Sequence, residues 1–448
     1  MNDHDLEQRL RAWYRAEIDD GESAPLQLRT DLATLTQTPE RSRRRLTLEW
    51  RYIMNRFVPF AAAAAAIAVA LLIGGLLLQP SPDVGPSPSP VPTPSSRLEP
   101  SATPVATAGA AAWTVTGSMN QPHGLNGTAT LLPDGTVLVA GDGFNAELYD
   151  PGSGTWSITA NNMHGYRGSP TATLLRDGRV LIVGGQEIGA GQSAELYDPE
   201  TQSLTSTGQM VARRSAGHTA TLLPDGTVLV TGGRRGTTTL NTAELFDPVN
   251  GLWRATGDLR EPRLNHTSTL LPNGRVLVAG GGIAPNASAS AELYDPATGT
   301  WTATGSMVDA RHSGTATLLP DGTVLAAGGY GIEGSMAKAE LYDPATGKWT
   351  ATADMLTARG RLPTATLLPD GMVLLAGGIG PPGWLAESEL YDPTTRTWTT
   401  TASLNAARAG HTATLLVDGT VLVAGGFNSN DDSGRLVSAE LYFPGIGN

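Results

Sequence analysis

Seven glutamates recur at near-constant spacing through the last three quarters of the chain: Glu147, Glu195, Glu244, Glu292, Glu340, Glu389 and Glu440. Paired carboxylates are the machinery of glycoside hydrolysis, where one acid protonates the leaving oxygen and the other attacks or activates water. A basic residue returns with each of them: His123, then Arg167, Arg214, Arg263, Arg311, Arg359 and Arg408. A catalytic pair is needed once. A pair repeated seven times predicts charge-assisted bonds within or between repeats; the competing reading is an arginine ring facing an anionic ligand. The glycine pairs Gly184-Gly185, Gly232-Gly233, Gly280-Gly281, Gly328-Gly329, Gly377-Gly378 and Gly425-Gly426 follow apolar runs, as phosphate-cradling loops do. A phosphate loop opens into a helix and usually brings a lysine. Here a strand or loop follows every time, so the pairs read as scaffold; the first copy departs, with Gly141-Asp142. His218, His266 and His411 share one repeat position in repeats that are not all adjacent, which argues against a common metal. Asn428, Asn430 and Asp432 alternate oxygen ligands as calcium loops do. Gly434 falls one place late, however, and the bidentate glutamate is missing, so this reads as a solvated acidic loop. No metal or cofactor is expected.

The elements that position these residues come from one repeat. The stretch HTATLLPDGTVLVTGG at 218–233 returns with small changes to make seven copies, and each is followed by a variable segment, an AELYDP-like strand and usually a tryptophan. TATLL alternates as a half-buried strand does. Pro-Asp-Gly is a hairpin turn, with glycine free to take positive φ. VLVAGG is the continuous apolar run of a strand covered on both faces, AELYD is a third strand, and TWTATG, rich in β-branched and aromatic residues, is a fourth. Four antiparallel strands per repeat describe a propeller blade. Trp156, Trp253, Trp301, Trp349 and Trp398 each follow a third strand, and Leu204 takes that place once. After the seventh third strand the chain ends, and its missing partner is WTVTGSM at 113–119. Residues 113–117, led by Trp113, are therefore expected to form the outer strand of the last blade and remove the open edge.

A glycine pair after the second strand, then a tyrosine, then a tryptophan a few residues on resembles the Kelch repeat, over about 113–444. The resemblance implies a seven-bladed Kelch-type β-propeller, an all-β fold with the galactose-oxidase-like propeller architecture, of a membrane-anchored bacterial type. Kelch propellers that are copper radical oxidases need a cysteine cross-linked to a tyrosine, and this chain has no cysteine. That chemistry is excluded, and the expectation leans away from an enzyme. Other Kelch proteins resemble sialic-acid mutarotases, which stays an alternative.

The two faces of such a propeller differ. Pro-Asp-Gly and Asp-Pro-x-x-Gly turns repeat almost unchanged on one face. On the other, the segments after the glycine pairs all differ, and binding residues are expected there. The candidates are Arg234, Arg235, Tyr330, Trp384, Phe427, Asn428, Asn430, Asp431 and Asp432, facing a protein or glycan ligand.

The first quarter of the chain is different. Residues 1–56 carry leucines and aromatics at helical spacing and read as short amphipathic helices. VPFAAAAAAIAVALLIGGLLL at 58–78 has no charge and is preceded by six arginines from Arg41 to Arg56. Such a run is long enough to cross a bilayer, and the arginines place the N-terminus in the cytoplasm. The reading is a transmembrane signal-anchor helix over 57–79, a Pro/Ser/Thr/Ala-rich linker over 80–112, and an extracytoplasmic propeller over 113–448. The layout resembles membrane-bound anti-sigma regulators, without their Cys/His zinc motif, and residues 1–56 are expected to meet a cytoplasmic protein. A net charge of −12 gives no basic footprint for nucleic acid.

Overall fold

The computed structural model describes residues 110–123, 127–185, 192–282, 286–429 and 434–445, all within one compact unit, Ala108–Asn448. The expected helices of 1–56, the apolar run and the linker lie outside the described residues. Among the described residues no helix is long and apolar enough to cross a membrane.

The unit is a seven-bladed β-propeller. Numbered along the chain, the blades start at the inner strands Thr128–Leu131, Thr171–Leu174, Ala216–Leu222, Thr267–Leu270, Thr315–Leu318, Thr364–Leu367 and Thr412–Leu415. In blades 1 to 6 each sheet runs outward in sequence order, all antiparallel; in blade 4, Thr267–Leu270 pairs with Val276–Ala279, then Ala291–Asp295, then Thr300–Ala303. Alternation explains why the second strand is apolar throughout. Val276 and Val278 pack with Leu229 and Leu245 of blade 3, whereas Leu277 and Ala279 pack with Val324 and Ala326 of blade 5. Every second strand is covered in this way by its two neighbours, so each blade's core is shared.

The outer part of each blade rests on aromatic pairs. Tyr294 and Trp301 sit opposite in register with ring centroids 5.0 Å apart, and the same tilted pair recurs as Tyr149–Trp156, Tyr342–Trp349 and Tyr391–Trp398. Such pairs contribute beyond their buried area. The Trp301 indole N–H donates to the Gly257 carbonyl at 2.8 Å, just past the outer strand of blade 3, so the tryptophan also ties neighbouring blades. Leu204 fills the tryptophan place in blade 2 and is buried. On the turn face, each Pro-Asp-Gly turn leans on the next: Pro224 lies against Gly274, Pro272 against Gly322, Pro320 against Gly371 and Pro369 against Gly419. Val417 completes the circle against Gly135 of blade 1.

The ring closes as the sequence requires. Ala112–Val115 pairs with Ala439–Phe443, setting Trp113 opposite Tyr442 with centroids 5.1 Å apart. Trp113 donates to the Ala402 carbonyl at 3.0 Å, as Trp156, Trp301 and Trp398 donate to backbone carbonyls. The strand stops two residues before the expected 117. Beyond Val115 the chain bends into the link toward blade 1, where the Thr116 hydroxyl meets Tyr149 at 2.7 Å and the Gly117 carbonyl accepts from Trp156 at 2.7 Å.

Candidate functional site

The repeated Glu and Arg residues come together inside each blade. Arg167, Arg214, Arg263, Arg311, Arg359 and Arg408 meet Glu195, Glu244, Glu292, Glu340, Glu389 and Glu440 at 2.5–2.9 Å. Both partners of every pair are buried. In blade 4 the Arg263 guanidinium also donates to the Gly280 and Ser290 carbonyls at 2.7 and 3.0 Å, while Glu292 accepts the Arg260 backbone N–H at 2.8 Å. The carboxylate thus fastens the incoming link, and the arginine fastens the end of the second strand. Blade 1 uses His123 instead, 3.3 Å from Glu147 and 2.7 Å from the Gly141 carbonyl. Burial pushes the Glu147 carboxyl up, but bonds from His123, Asn120 and Gln121 win and hold it below the ordinary value. Each of these arginines faces the glutamate of its own blade.

The glycine pairs join one blade to the next. Gly233 N–H donates to the Arg263 carbonyl at 2.8 Å, Gly329 to Arg359 at 2.8 Å, and Gly426 closes the circle onto His123 at 3.1 Å. Gly232 has φ 59° and a side chain there would lie 2.5 Å from the Arg263 carbonyl, so no other residue fits. His218, His266 and His411 are buried beside these pairs. Burial, reinforced by the charge of the nearby arginines, pushes His218 down to about 4 and His266 and His411 down to about 3. All three are neutral packing residues; His266 meets the Thr219 hydroxyl of blade 3 at 2.9 Å and His411 that of Thr364 in blade 6 at 2.9 Å.

The non-repeated residues lie on the opposite face from the Pro-Asp-Gly turns. Arg234 and Arg235, expected in a loop, belong to a strand. Val228–Arg235 runs on past the glycine pair, held by Ala216 on one side and by Thr239 and Thr238 on the other. Blade 5 carries a short hairpin, Tyr330–Gly331 with Gly334–Ser335. Tyr330 there lies 5.8 Å from the His312 ring and 5.2 Å from the Arg361 guanidinium, centre to centre. Burial and the Arg361 charge push His312 down. In blade 6 Trp384 pairs with Ile379 in the matching hairpin and is half-buried. Phe427 bridges Ala409 and Arg435, and Asn428 is exposed. Asn430, Asp431 and Asp432 lie outside the described residues.

One cluster was not anticipated. Asp142, the residue that breaks the glycine-pair pattern, is buried at φ 53°, accepts from the Tyr166 hydroxyl, and pairs with Arg435 of blade 7 at 3.0 Å. Burial first, then the bond and charge of Asp142, push Tyr166 up to about 12. The cluster latches blade 7 to blade 1, a second closure besides the outer strand. Its signal in the sequence was the departure itself: an aspartate where every other blade has glycine. The centre of the ring holds a cavity of about 400 Å³ lined by uncharged residues, among them Thr128, Thr171, His218, Thr219, Ser268 and Thr412.

A disc of seven such blades, with the glycine pairs as inter-blade ties and the tyrosine–tryptophan pairs at the rim, defines a Kelch-repeat propeller. The KLHDC2/KLHL20/DRC7 Kelch-repeats domain model matches residues 217–426, and the chain carries a Kelch-repeat domain. Among solved structures it is similar to a fungal alcohol oxidase of the AA5 family, in complex with copper. The TM-score is 0.62 at 19% sequence identity, over 75% of this chain and 77% of that one. At that identity the likeness is one of fold. No curated protein matches the chain in sequence.

Proposed function

We propose that the propeller is a protein-binding module working through its variable face, on a chain tethered to a membrane through its N-terminal side. The observation that carries this reading is the separation of the two faces. Turns, glycine pairs and Glu–Arg bonds repeat around the ring, while Arg234, Tyr330, Trp384 and Phe427 occur once each and share one face. Ala112 pairs with Phe443, at the end of the blade where the other blades place their Asp-Pro turns. Both ends of the propeller thus leave from the turn face, and the variable face stays clear of them. Tyrosine, tryptophan and arginine are the residues that most often anchor protein interfaces.

The tether is supported by the charge-free run at 58–78 and the arginines before it. The same layout sets residues 1–56 in the cytoplasm, available to a signalling partner. Affinity capture on the wild-type chain and on a variant with Arg234, Tyr330, Trp384 and Phe427 all changed to alanine tests the binding face. A discrete partner lost with the variant is expected. Equal capture by both, or binding to a glycan array instead of a protein, overturns the reading.

A further inference from the structure

Resting on that protein-binding reading, we infer that the blade-3 sector of the variable face is a cationic dock for an acidic segment of the partner. Blade 3 differs from the other blades in its backbone. Its inner strand and its second strand, Ala216–Leu222 and Val228–Arg235, stay paired past the glycine pair, where Ala216 meets Arg234, with Thr238–Thr239 added alongside. Arg234 is held between Ala216 and Thr239, and Arg235 pairs with Thr238 on one side.

The charges in this sector are not neutralised as the repeat arginines are. Each of the six repeat arginines meets its buried glutamate, whereas Arg234, Arg235 and Arg260 make no ion pair with a described carboxylate. The Arg234 Nε is buried without a hydrogen-bond partner among the described residues. Residues 229–243 contain no acid, and Thr237, Thr238 and Thr239 add hydroxyl groups to the same hairpin. Of the nearby acids, Glu261 is engaged by Ser290 at 2.6 Å.

The rest of the molecule makes this sector stand out. The chain has a net charge of −12. Its turn face carries two sets of aspartates: Asp134, Asp177, Asp225, Asp321, Asp370 and Asp418 in the hairpin turns, and Asp150, Asp198, Asp247, Asp295, Asp343 and Asp392 at the ends of the third strands. Against that net charge, Arg234 and Arg235 are a local positive site on an acid-free segment, and such a local field acts on the encounter and orientation of an acidic chain.

The test uses the full-length chain and a fluorescein-labelled octaglutamate peptide, read by fluorescence anisotropy. Binding that weakens steeply as salt is raised is expected, and Arg234→Ala with Arg235→Ala should weaken it at least tenfold without moving the melting temperature. Changing Lys348 and Arg396 of the turn face to alanine should leave it unchanged. No binding by the wild type, or undiminished binding by the Arg234/Arg235 variant, overturns the inference. So does capture of phosphatidylglycerol–phosphatidylcholine vesicles in preference to the peptide. A captured partner that is indifferent to Arg234→Ala and Arg235→Ala would overturn the dock and leave the protein-binding reading standing. Failure to capture any partner would count against that reading alone, because the peptide result stands by itself.

Discussion

Changing Glu389 to glutamine probes the blade scaffold at one of its buried ion pairs. The Glu389 carboxylate accepts the Leu356 N–H at 2.7 Å, the Thr357 N–H at 3.1 Å and the Arg359 guanidinium at 2.8 Å. Arg359 is fully buried and Glu389 only 1% exposed, so solvent cannot take over any of these roles. Glutamine keeps the shape but removes the charge and turns an NH2 group toward a donor. Breaking a buried pair by neutralising one partner costs about 3–5 kcal/mol, because the other charge is left uncompensated. At about 2 °C of melting temperature per kcal/mol for a large domain, the midpoint should fall by about 6–10 °C. Differential scanning calorimetry on the two proteins measures it. Removing both charges, with Arg359→Met and Glu389→Leu, should recover only part of the loss. The Leu356 and Thr357 N–H groups and the Gly377 and Glu387 carbonyls would still lack partners, at about 1–3 kcal/mol for each buried group left unmet. An unchanged midpoint for Glu389→Gln, or full recovery in the double variant, would refute the claim that the carboxylate holds both the arginine and the link.

Other outcomes follow from the same geometry. Deleting residues 110–119 removes the outer strand of blade 7 and should lower the midpoint by about 10 °C or more, equivalent to about 5 kcal/mol; an unchanged melting curve would contradict the closure. Gly377→Ala sets a side chain 2.5 Å from the Arg408 carbonyl at φ 59° and should destabilise by about 2 kcal/mol or more, read from urea titration. His218, His266 and His411 stay neutral when folded, with values of about 4, 3 and 3 against the ordinary 6.5. The unfolded chain therefore binds protons below pH 6.5 that the folded chain refuses. Stability should fall as pH drops from about 6.5 toward 4, by about 2 kcal/mol per histidine at pH 5. His411→Phe should flatten that slope in urea titrations taken from pH 7 to pH 5.

The repeat made the fold legible, because a pattern that recurs identifies a structural duty more securely than any single copy does. Trp113 alone before the first copy and AELYF without a successor were enough to place the closing strand. The Glu–Arg bonds were expected for the same reason, since a glutamate and a basic residue recur together every 48 or so positions. What escaped was local. The strand extension that carries Arg234 and Arg235 contains Gly232 and Gly233, poor strand formers by propensity, yet Arg234 pairs with Ala216 on one side and Thr239 on the other. The Asp142–Arg435–Tyr166 latch joins residues far apart in sequence and occurs once, so repetition gave no help. Trp384 shows the same limit: its place outside the repeat marked it as unusual, but its pairing with Ile379 depends on a hairpin built from Gly-Pro-Pro-Gly.

The central claim is that the repeated residues build the disc and the unrepeated ones on one face do its work. A photo-crosslinking scan in the native host tests it most directly, with the reactive residue placed singly at Tyr330, Trp384 and Phe427 on the variable face and at Val249 and Val417 on the turn face. The account predicts one partner of constant mass from the variable-face positions and none from the turn face. The same partner captured from Val249 and Val417 but not from Tyr330, Trp384 or Phe427 would contradict it.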